Sequence, residues 1–369
     1  MKKPSQLEGR AALYDPYLGT LGGGEKHILS ILKVLEEEGY EINIFWNKNL
    51  QQEIEDRFSL QFKGKLKFLT DNFKTSSFPR TIRTLQKLKN FDYFFYVTDG
   101  SYFFSSARKN FVFSMVPDKK LYINSFINKL KTANYSFLTN SKFTQNWLNQ
   151  WGVKSELIYP FINSEYLDQD VKKQKKENII LSVGRFYSHL HSKNQSMLIN
   201  WFNKLQRMHS SVKKFKLKIA GGLMEEDKIY FNDLAKLTKN IPNIELQPNL
   251  SHLDLAKLYR KAKIYIHTAG FGVDEQRNPE KVEHLGITPL EAMANGCLTF
   301  CFNAGGPKEL ITNAETGFLY SSETDLNAKL IRIINNETQQ LRIKSQAKKF
   351  VENNFSYEIF KKKVKEVIL

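Results

Sequence analysis

Two doubly wound α/β domains, each a parallel sheet between layers of helices, are what this 369-residue sequence predicts. Three observations lead there. Short apolar runs alternate with amphipathic helical patterns along most of the chain. The runs are apolar throughout rather than alternately polar, as strands covered on both faces are. A polar and highly charged stretch, residues 163–178, follows Pro160 and divides the chain, whose length suits two domains of roughly 100–200 residues.

In the first half, strands are expected at residues 11–14, 42–46, 66–69, 93–97, 110–114, 137–139 and 157–159. Amphipathic patterns at 26–38, 82–88 and 142–151 supply the helices between several of them. In the second half the strands fall at 179–183, 217–220, 244–246, 264–267 and 298–302. Helices at 194–207, 227–239, 253–260 and 289–295 separate them. Phe350, Val351, Phe355, Ile359, Phe360, Val364 and Val367 then recur at helical spacing, which makes two closing helices. The expected division is an N-terminal domain 1–163, a linker 164–178, a C-terminal domain 179–350 and a closing helix 351–369.

Composition narrows the function classes. With 41% hydrophobic and 25% charged residues the chain is globular, which excludes disorder, collagen and coiled coil. Cys297 and Cys301 are the only cysteines, too few for a disulfide framework or a four-cysteine zinc site. They read as reduced core thiols of a cytosolic protein. No run approaches the ~20 apolar residues of a membrane span. Lys2 and Lys3 precede no apolar region that would make a signal peptide. A soluble, cytoplasmic protein is expected. Its net charge of +17 is uneven: residues 57–142 hold 16 basic and 4 acidic side chains, whereas residues 1–56 carry a net −4. A basic region of this kind favours phosphates, in nucleic acid, anionic lipid or a nucleotide ligand. No compact nucleic-acid-binding motif accompanies it, so nucleic acid is not expected as a partner.

Three segments carry candidate chemistry. Gly19-Thr20-Leu21-Gly22-Gly23-Gly24-Glu25-Lys26 joins a strand to a helix, where glycines let a ligand approach free N–H groups. Its spacing is neither that of the dinucleotide fingerprint nor that of the P-loop. Arg185 follows the strand 179–183, and Lys193 stands at the start of the next helix. A planar fork of donors and a point charge at that place suit a diphosphate. The third segment runs Glu283-His284-Leu285-Gly286-Ile287-Thr288-Pro289-Leu290-Glu291. It places two carboxylates eight residues apart around a glycine turn, one in the loop mouth and one a turn inside the helix. His267 ends a strand beside them, as a sugar contact or as a packed neutral imidazole.

With these motifs the sequence resembles the retaining glycosyltransferases of family 4, whose GT-B fold pairs two Rossmann-like domains facing a cleft. The resemblance runs through Gly22-Gly23-Gly24-Glu25, Val97-Thr98-Asp99-Gly100-Ser101, Thr139-Asn140-Ser141, Tyr159-Pro160, Val183-Gly184-Arg185-Phe186, Lys193-Asn194-Gln195, Ala220-Gly221-Gly222, the segment from Glu283 to Glu291, and Gly305-Gly306-Pro307. Asn354-Phe355-Ser356-Tyr357-Glu358 matches the helix that crosses back to the N-terminal domain in that fold. It implies a UDP- or GDP-sugar donor and a glycan or lipid-linked acceptor. Arg185 and Lys193 would neutralise the diphosphate, Glu291 would hold the ribose and Glu283 the sugar. Gly23 and Gly24, with the amides of Gly286 and Ile287, would meet phosphate, and His267 lines the donor site. Fixed cations and a helix terminus then stabilise the leaving group without a metal cofactor.

One departure stands out. Many family members carry a histidine just after the strand that here reads Phe111-Val112-Phe113-Ser114-Met115-Val116-Pro117, where this chain has Met115 or a neighbour, and Asp99 or Asp118 are the candidate substitutes. Asp168-Gln169-Asp170 matches a metal motif of the other major glycosyltransferase fold but falls in the linker, and His189 with His191 lacks a third zinc ligand. The aromatic run Tyr102, Phe103, Phe104 could face an acceptor or a lipid. The competing readings are a GT-B epimerase or synthase, and a non-catalytic nucleotide-sugar-binding or nucleic-acid-binding protein. The basic stretch is expected to contact the inner face of an anionic membrane.

Overall fold

The computed structural model describes residues 9–70, 78–122, 125–167, 175–187 and 192–369. The chain forms two compact units, Met1–Phe161 with Glu358–Leu369, and Ile162–Tyr357.

The first unit is built on β1 (Gly9–Tyr14), β2 (Tyr40–Phe45), β3 (Lys67–Leu69), β4 (Tyr93–Val97), β5 (Lys109–Ser114), β6 (Tyr135–Thr139) and β7 (Ser155–Leu157). They pair in the order β3-β2-β1-β4-β5-β6-β7, all parallel. Leu13 faces Ile44 on one side and Phe95 on the other, and all three are fully buried. Parallel strands need crossover helices, which cover the faces and explain why these runs are apolar at every position. The helix Gly23–Glu37 is one such cover, burying Ile28, Leu29, Ile31, Leu32, Val34 and Leu35. The last helix, Tyr357–Ile368, returns to this unit. Phe360 is buried there, its ring 5.2 Å from that of Phe161 and 5.9 Å from the imidazole of His27. Lys361 and Lys365 pair with Glu37 and Glu38, each at 2.6 Å.

The second unit holds β8 (Glu177–Val183), β9 (Lys216–Gly221), β10 (Ile244–Pro248), β11 (Ala262–His267), β12 (Leu298–Phe302) and β13 (Phe318–Tyr320). Their order is β10-β9-β8-β11-β12-β13, again all parallel. In each sheet the strand order reverses at one place, between β1 and β4 and between β8 and β11. Cys297 and Cys301 are free and buried in this unit.

The last strand of the first sheet lies at Ser155–Leu157 rather than at 157–159, in register with Phe137–Thr139 and stopping ahead of Pro160. Of the segment expected as linker, Ser164–Leu167 is helical with Tyr166 buried, and residues 168–174 lie outside the described part. The helices Gln51–Phe58, Phe126–Lys131 and Glu323–Ile334, and the strand β13, were not expected from the sequence. Among the described residues no helix is long and apolar enough to cross a membrane.

Candidate active site

The carboxyl ends of β8 and β11 are neighbours at the reversal point of the second sheet. Connections leave such a point in opposite directions and open a crevice there, the usual ligand position in an open parallel sheet. Gly184 and Arg185 follow β8, and Lys193 and Asn194 precede the helix Gln195–Met208. The aliphatic stem of Lys193 lies across Gly184, where a Cβ would fall 2.6 Å from Lys193 Cγ, so any larger residue would displace the lysine. Asn194 adopts a left-handed backbone, φ 49°, which asparagine tolerates better than most residues. Its amide donates to the carbonyl of Thr268 at 3.0 Å, and the Thr268 hydroxyl donates to the carbonyl of Lys193. The end of β11 therefore fixes the backbone that carries Lys193.

Lys193 Nζ lies 2.5 Å from Glu283 Oε2, and His267 Nε2 lies 2.8 Å from the same oxygen. Burial pushes the Glu283 carboxyl up, but the Lys193 charge and the His267 hydrogen bond outweigh it and hold the carboxyl well below the usual range. Burial pushes the His267 imidazole down, so the ring is neutral. Its proton belongs on Nε2, facing the carboxylate, while Nδ1 sits 3.4 Å from the Tyr265 hydroxyl. His267 is 1% exposed and both its nitrogens are engaged within the protein. The imidazole is thus packed and neutral, and its Nε2 shares with Lys193 the Glu283 oxygen.

The network continues toward Glu291. Tyr265 donates to Thr288 Oγ1 at 2.8 Å, and Tyr259 donates to Glu291 Oε2 at 3.0 Å. Burial and the Glu291 charge push the Tyr259 phenol far up, which keeps it a neutral donor. Glu291 lies one turn inside the helix Ile287–Ala294. Gly286 leads into that helix with φ +109°, a conformation side chains rarely adopt, and among the described residues no side chain caps its first amides. Free N–H groups at a helix start carry partial positive charge and attract anions. The carbonyl of Glu283 is held by Gly306 N–H at 2.8 Å, which ties the loop to the segment after β12.

Arg185 takes a different set of contacts. Its guanidinium lies 3.2 Å from Met224 Sδ, 4.0 Å from Asp227 Oδ2 and 5.1 Å from the Tyr187 ring centre. Gln195 anchors its carbonyl at 2.8 Å, and its side chain is 43% exposed. The structure thus joins Lys193, His267 and Glu283 directly, ties Glu291 to the same loop through Tyr259 and Thr288, and leaves the Arg185 guanidinium outside this network.

In the first unit Gly23 and Gly24 open the helix Gly23–Glu37, where Gly24 packs against Met115. Glu25 Oε2 accepts from Gly22 N–H at 2.6 Å and from Thr20 Oγ1 at 2.8 Å. Asp15, immediately after β1, is fully buried, and its Oδ2 has no hydrogen-bond partner among the described residues. Burial, reinforced by the Glu25 charge, pushes its carboxyl up to about 8. The two proposed substitutes for the missing histidine are engaged in turns: Asp99 accepts from Tyr96 at 2.6 Å, and Asp118 from the amide of Lys120 at 3.0 Å. Tyr102 is buried and Phe103 packs against the same core, so only Phe104 of that run is well exposed, at 42%. Asp168, Asp170, His189 and His191 lie outside the described residues.

Tyr259, Tyr265, Thr288 and Asp15 were not singled out from the sequence. Tyr265 had a signal, since it lies two residues before His267 and so on the same face of β11. Tyr259 and Glu291 are 32 positions apart and had none.

Residues 163–350 match the family model described as "Glycosyl transferases group 1". The human "GDP-Man:Man(3)GlcNAc(2)-PP-Dol alpha-1,2-mannosyltransferase" is 29% identical over 240 residues, 60% of this chain and 46% of that protein. The "Alpha-1,3/1,6-mannosyltransferase alg-2" of Neurospora crassa is 29% identical over 258 residues, 59% of this chain and 51% of that protein. The chain therefore spans about half the length of these relatives. Among solved structures, a glycosyltransferase from Rickettsia africae aligns over 98% of both chains with TM-score 0.72 and 20% identity. Anabaena Alr3699/HepE in complex with UDP and glucose aligns over 97% of this chain and 99% of that one, with TM-score 0.69 and 15% identity. These two likenesses establish the GT-B fold.

Proposed function

Because the chain belongs to the group 1 glycosyltransferases, we propose that it transfers a hexose from a nucleoside-diphosphate sugar to a lipid-linked glycan, with retention of anomeric configuration. The observation that carries the reading is the Lys193–Glu283–His267 cluster at the reversal point of the second sheet, beside an uncapped helix start. Glu283, kept ionised by its cation, accepts hydrogen bonds from the sugar hydroxyls. Its charge is already neutralised by Lys193, which makes it a poor nucleophile and separates this site from paired-carboxylate glycosidases.

The acceptor oxygen attacks C1 on the face from which the diphosphate departs. The C1–O bond to the phosphate breaks as the new glycosidic bond forms, and a phosphate oxygen takes the acceptor proton. Lys193, Arg185 and the amides of Gly286 and Ile287 stabilise the leaving diphosphate, and Glu291 holds the ribose. Such preorganised donors act most strongly where charge develops. No metal cofactor is needed in this scheme. Two of the relatives are named as mannosyltransferases, one of them acting with GDP-mannose on a dolichol-linked glycan, which favours GDP-mannose as donor and a lipid-linked acceptor here. A lipid-linked acceptor is met at a membrane surface, which supports a peripheral position on the cytoplasmic side of a membrane.

The test is release of nucleotide from UDP-, GDP- and ADP-sugars without acceptor. Release from one donor class, strongly reduced in Glu283→Ala, is expected. No release from any of them, together with no detectable nucleotide binding, would sink the reading.

A further inference from the structure

The helix Phe126–Lys131 of the first unit buries none of its residues. Phe126 is 75% exposed, Ile127 62% and Leu130 51%. Positions three and four apart share a helix face, so these side chains form one apolar stripe directed to solvent. The helix is nevertheless well set. Ser125 caps it by accepting from Asn128 N–H at 3.2 Å, and Thr132 closes it by donating to the Asn128 carbonyl at 2.8 Å. An exposed stripe on a fixed helix is built for contact rather than left by fraying.

Beside the stripe lies a cavity of about 270 Å³ with Tyr102, Tyr122 and Phe137 in its wall and Asn128, Lys129 and Lys154 among its lining. The hydroxyls of Tyr102 and Tyr122 are spent on the carbonyls of Leu121 and Val116, each at 2.8 Å, which leaves ring surface toward the space. Lys129 and Lys154 are exposed and have no ion-pair partner among the described residues. The surrounding sequence is one-sided: residues 119–155 contain six lysines and neither Asp nor Glu. An apolar stripe flanked by unpaired cations complements an anionic lipid surface and repels basic partners.

We propose that this face docks onto an anionic bilayer, with Phe126, Ile127 and Leu130 inserted among the acyl chains and a lipid phosphate seated between Lys129 and Lys154. The inserted residues are then not the run from Tyr102 to Phe104, which packs mostly inward. The inference rests on the proposed lipid-linked acceptor for its purpose, while the docking is measurable without it.

The experiment pellets the full chain with vesicles of phosphatidylcholine, with or without phosphatidylglycerol, at low and physiological salt. Binding to the anionic vesicles alone, weakening with salt, is expected. The triple substitution Phe126→Ser, Ile127→Ser, Leu130→Ser should weaken it about tenfold or more, since the apolar insertion is lost. Lys129→Ala with Lys154→Ala should weaken it about tenfold and flatten its salt dependence. All three positions of the stripe are exposed, and circular dichroism checks that the variants keep their fold. Equal pelleting with neutral vesicles, no pelleting at low salt, or variants that bind like the parent would overturn the proposal. So would a dimer without vesicle binding that the triple substitution dissolves, because the stripe would then join two copies. Nucleotide release in solution should be unchanged in both variants. A parent that releases no nucleotide yet docks would sink the transferase reading and leave this one standing.

Discussion

Lys193 decides the state of Glu283. Without the cation, the burial that pushes the Glu283 carboxyl up would be opposed only by His267, and the charge that accepts bonds from a sugar would be less firmly held. Glu283→Ala should therefore lower kcat, with about 2–4 kcal/mol of transition-state stabilisation lost. Glu291→Ala should mainly raise KM for the donor, because ribose contacts change little between ground and transition states. Steady-state kinetics separate the two, and wild-type turnover in the Glu283 variant would refute its assignment. Asp15 illustrates the opposite case. Its carboxyl is raised from 3.8 to about 8 by burial and the Glu25 charge, so its stability contribution is complete below pH 3.8 and is lost as the pH rises toward 8. Asp15→Asn should match the parent at acid pH and be more stable by roughly 5 kcal/mol above pH 8, the linkage cost of holding a raised carboxyl ionised. Denaturant melts across pH read this directly, and a constant difference between the two proteins would count against it.

At the level of elements, the closing helix Tyr357–Ile368 is the clearest dependency. Phe360 fills the space between His27 and Phe161, and Phe360→Ala should destabilise the first unit by about 3–5 kcal/mol. Hydrogen exchange should quicken in the helix Gly23–Glu37, against which it packs; unchanged exchange there would refute the dependency. The inner strands of both sheets were legible in the sequence because burial on two faces leaves a continuous apolar signature. The three-residue strands β7 and β13 were misplaced or missed, since so short a run carries little pattern. Phe126–Lys131 escaped notice for a physical reason: it buries nothing, so its apolar residues mark no core. In the site, Lys193, Glu283, Gly286 and Glu291 were readable from local spacing and secondary-structure position. The Tyr259–Glu291 bond and the buried Asp15 carboxyl depend on folding across long separations, and local spacing does not encode them.

Across the whole molecule one six-strand order is built twice, with β7 added to the edge of the first sheet, and each sheet offers a reversal point with a loop leading to a helix start. Cations and an uncapped helix belong to the second; a glycine turn with a buried carboxyl belongs to the first. The proposed transfer needs no divalent ion, because Lys193 and Arg185 supply the positive charge. Nucleotide release should then persist in excess EDTA; loss restored by Mg²⁺ or Mn²⁺ would instead favour a metal role for Asp168 and Asp170.

The first unit is discontinuous in sequence, and that orders its birth. Translation delivers residues 1–161, then all of 162–357, and only afterwards the segment from Glu358 that covers His27 and pairs with Glu37 and Glu38. The unit made first on the ribosome is thus the one completed last, while its neighbour has everything it requires some while earlier. Domains usually mature in the order they emerge; this chain inverts the rule. A released chain truncated before Glu358 should present a protease-resistant second half and a cleavable first half, and a separately expressed N-terminal fragment should aggregate unless the closing helix is grafted onto it.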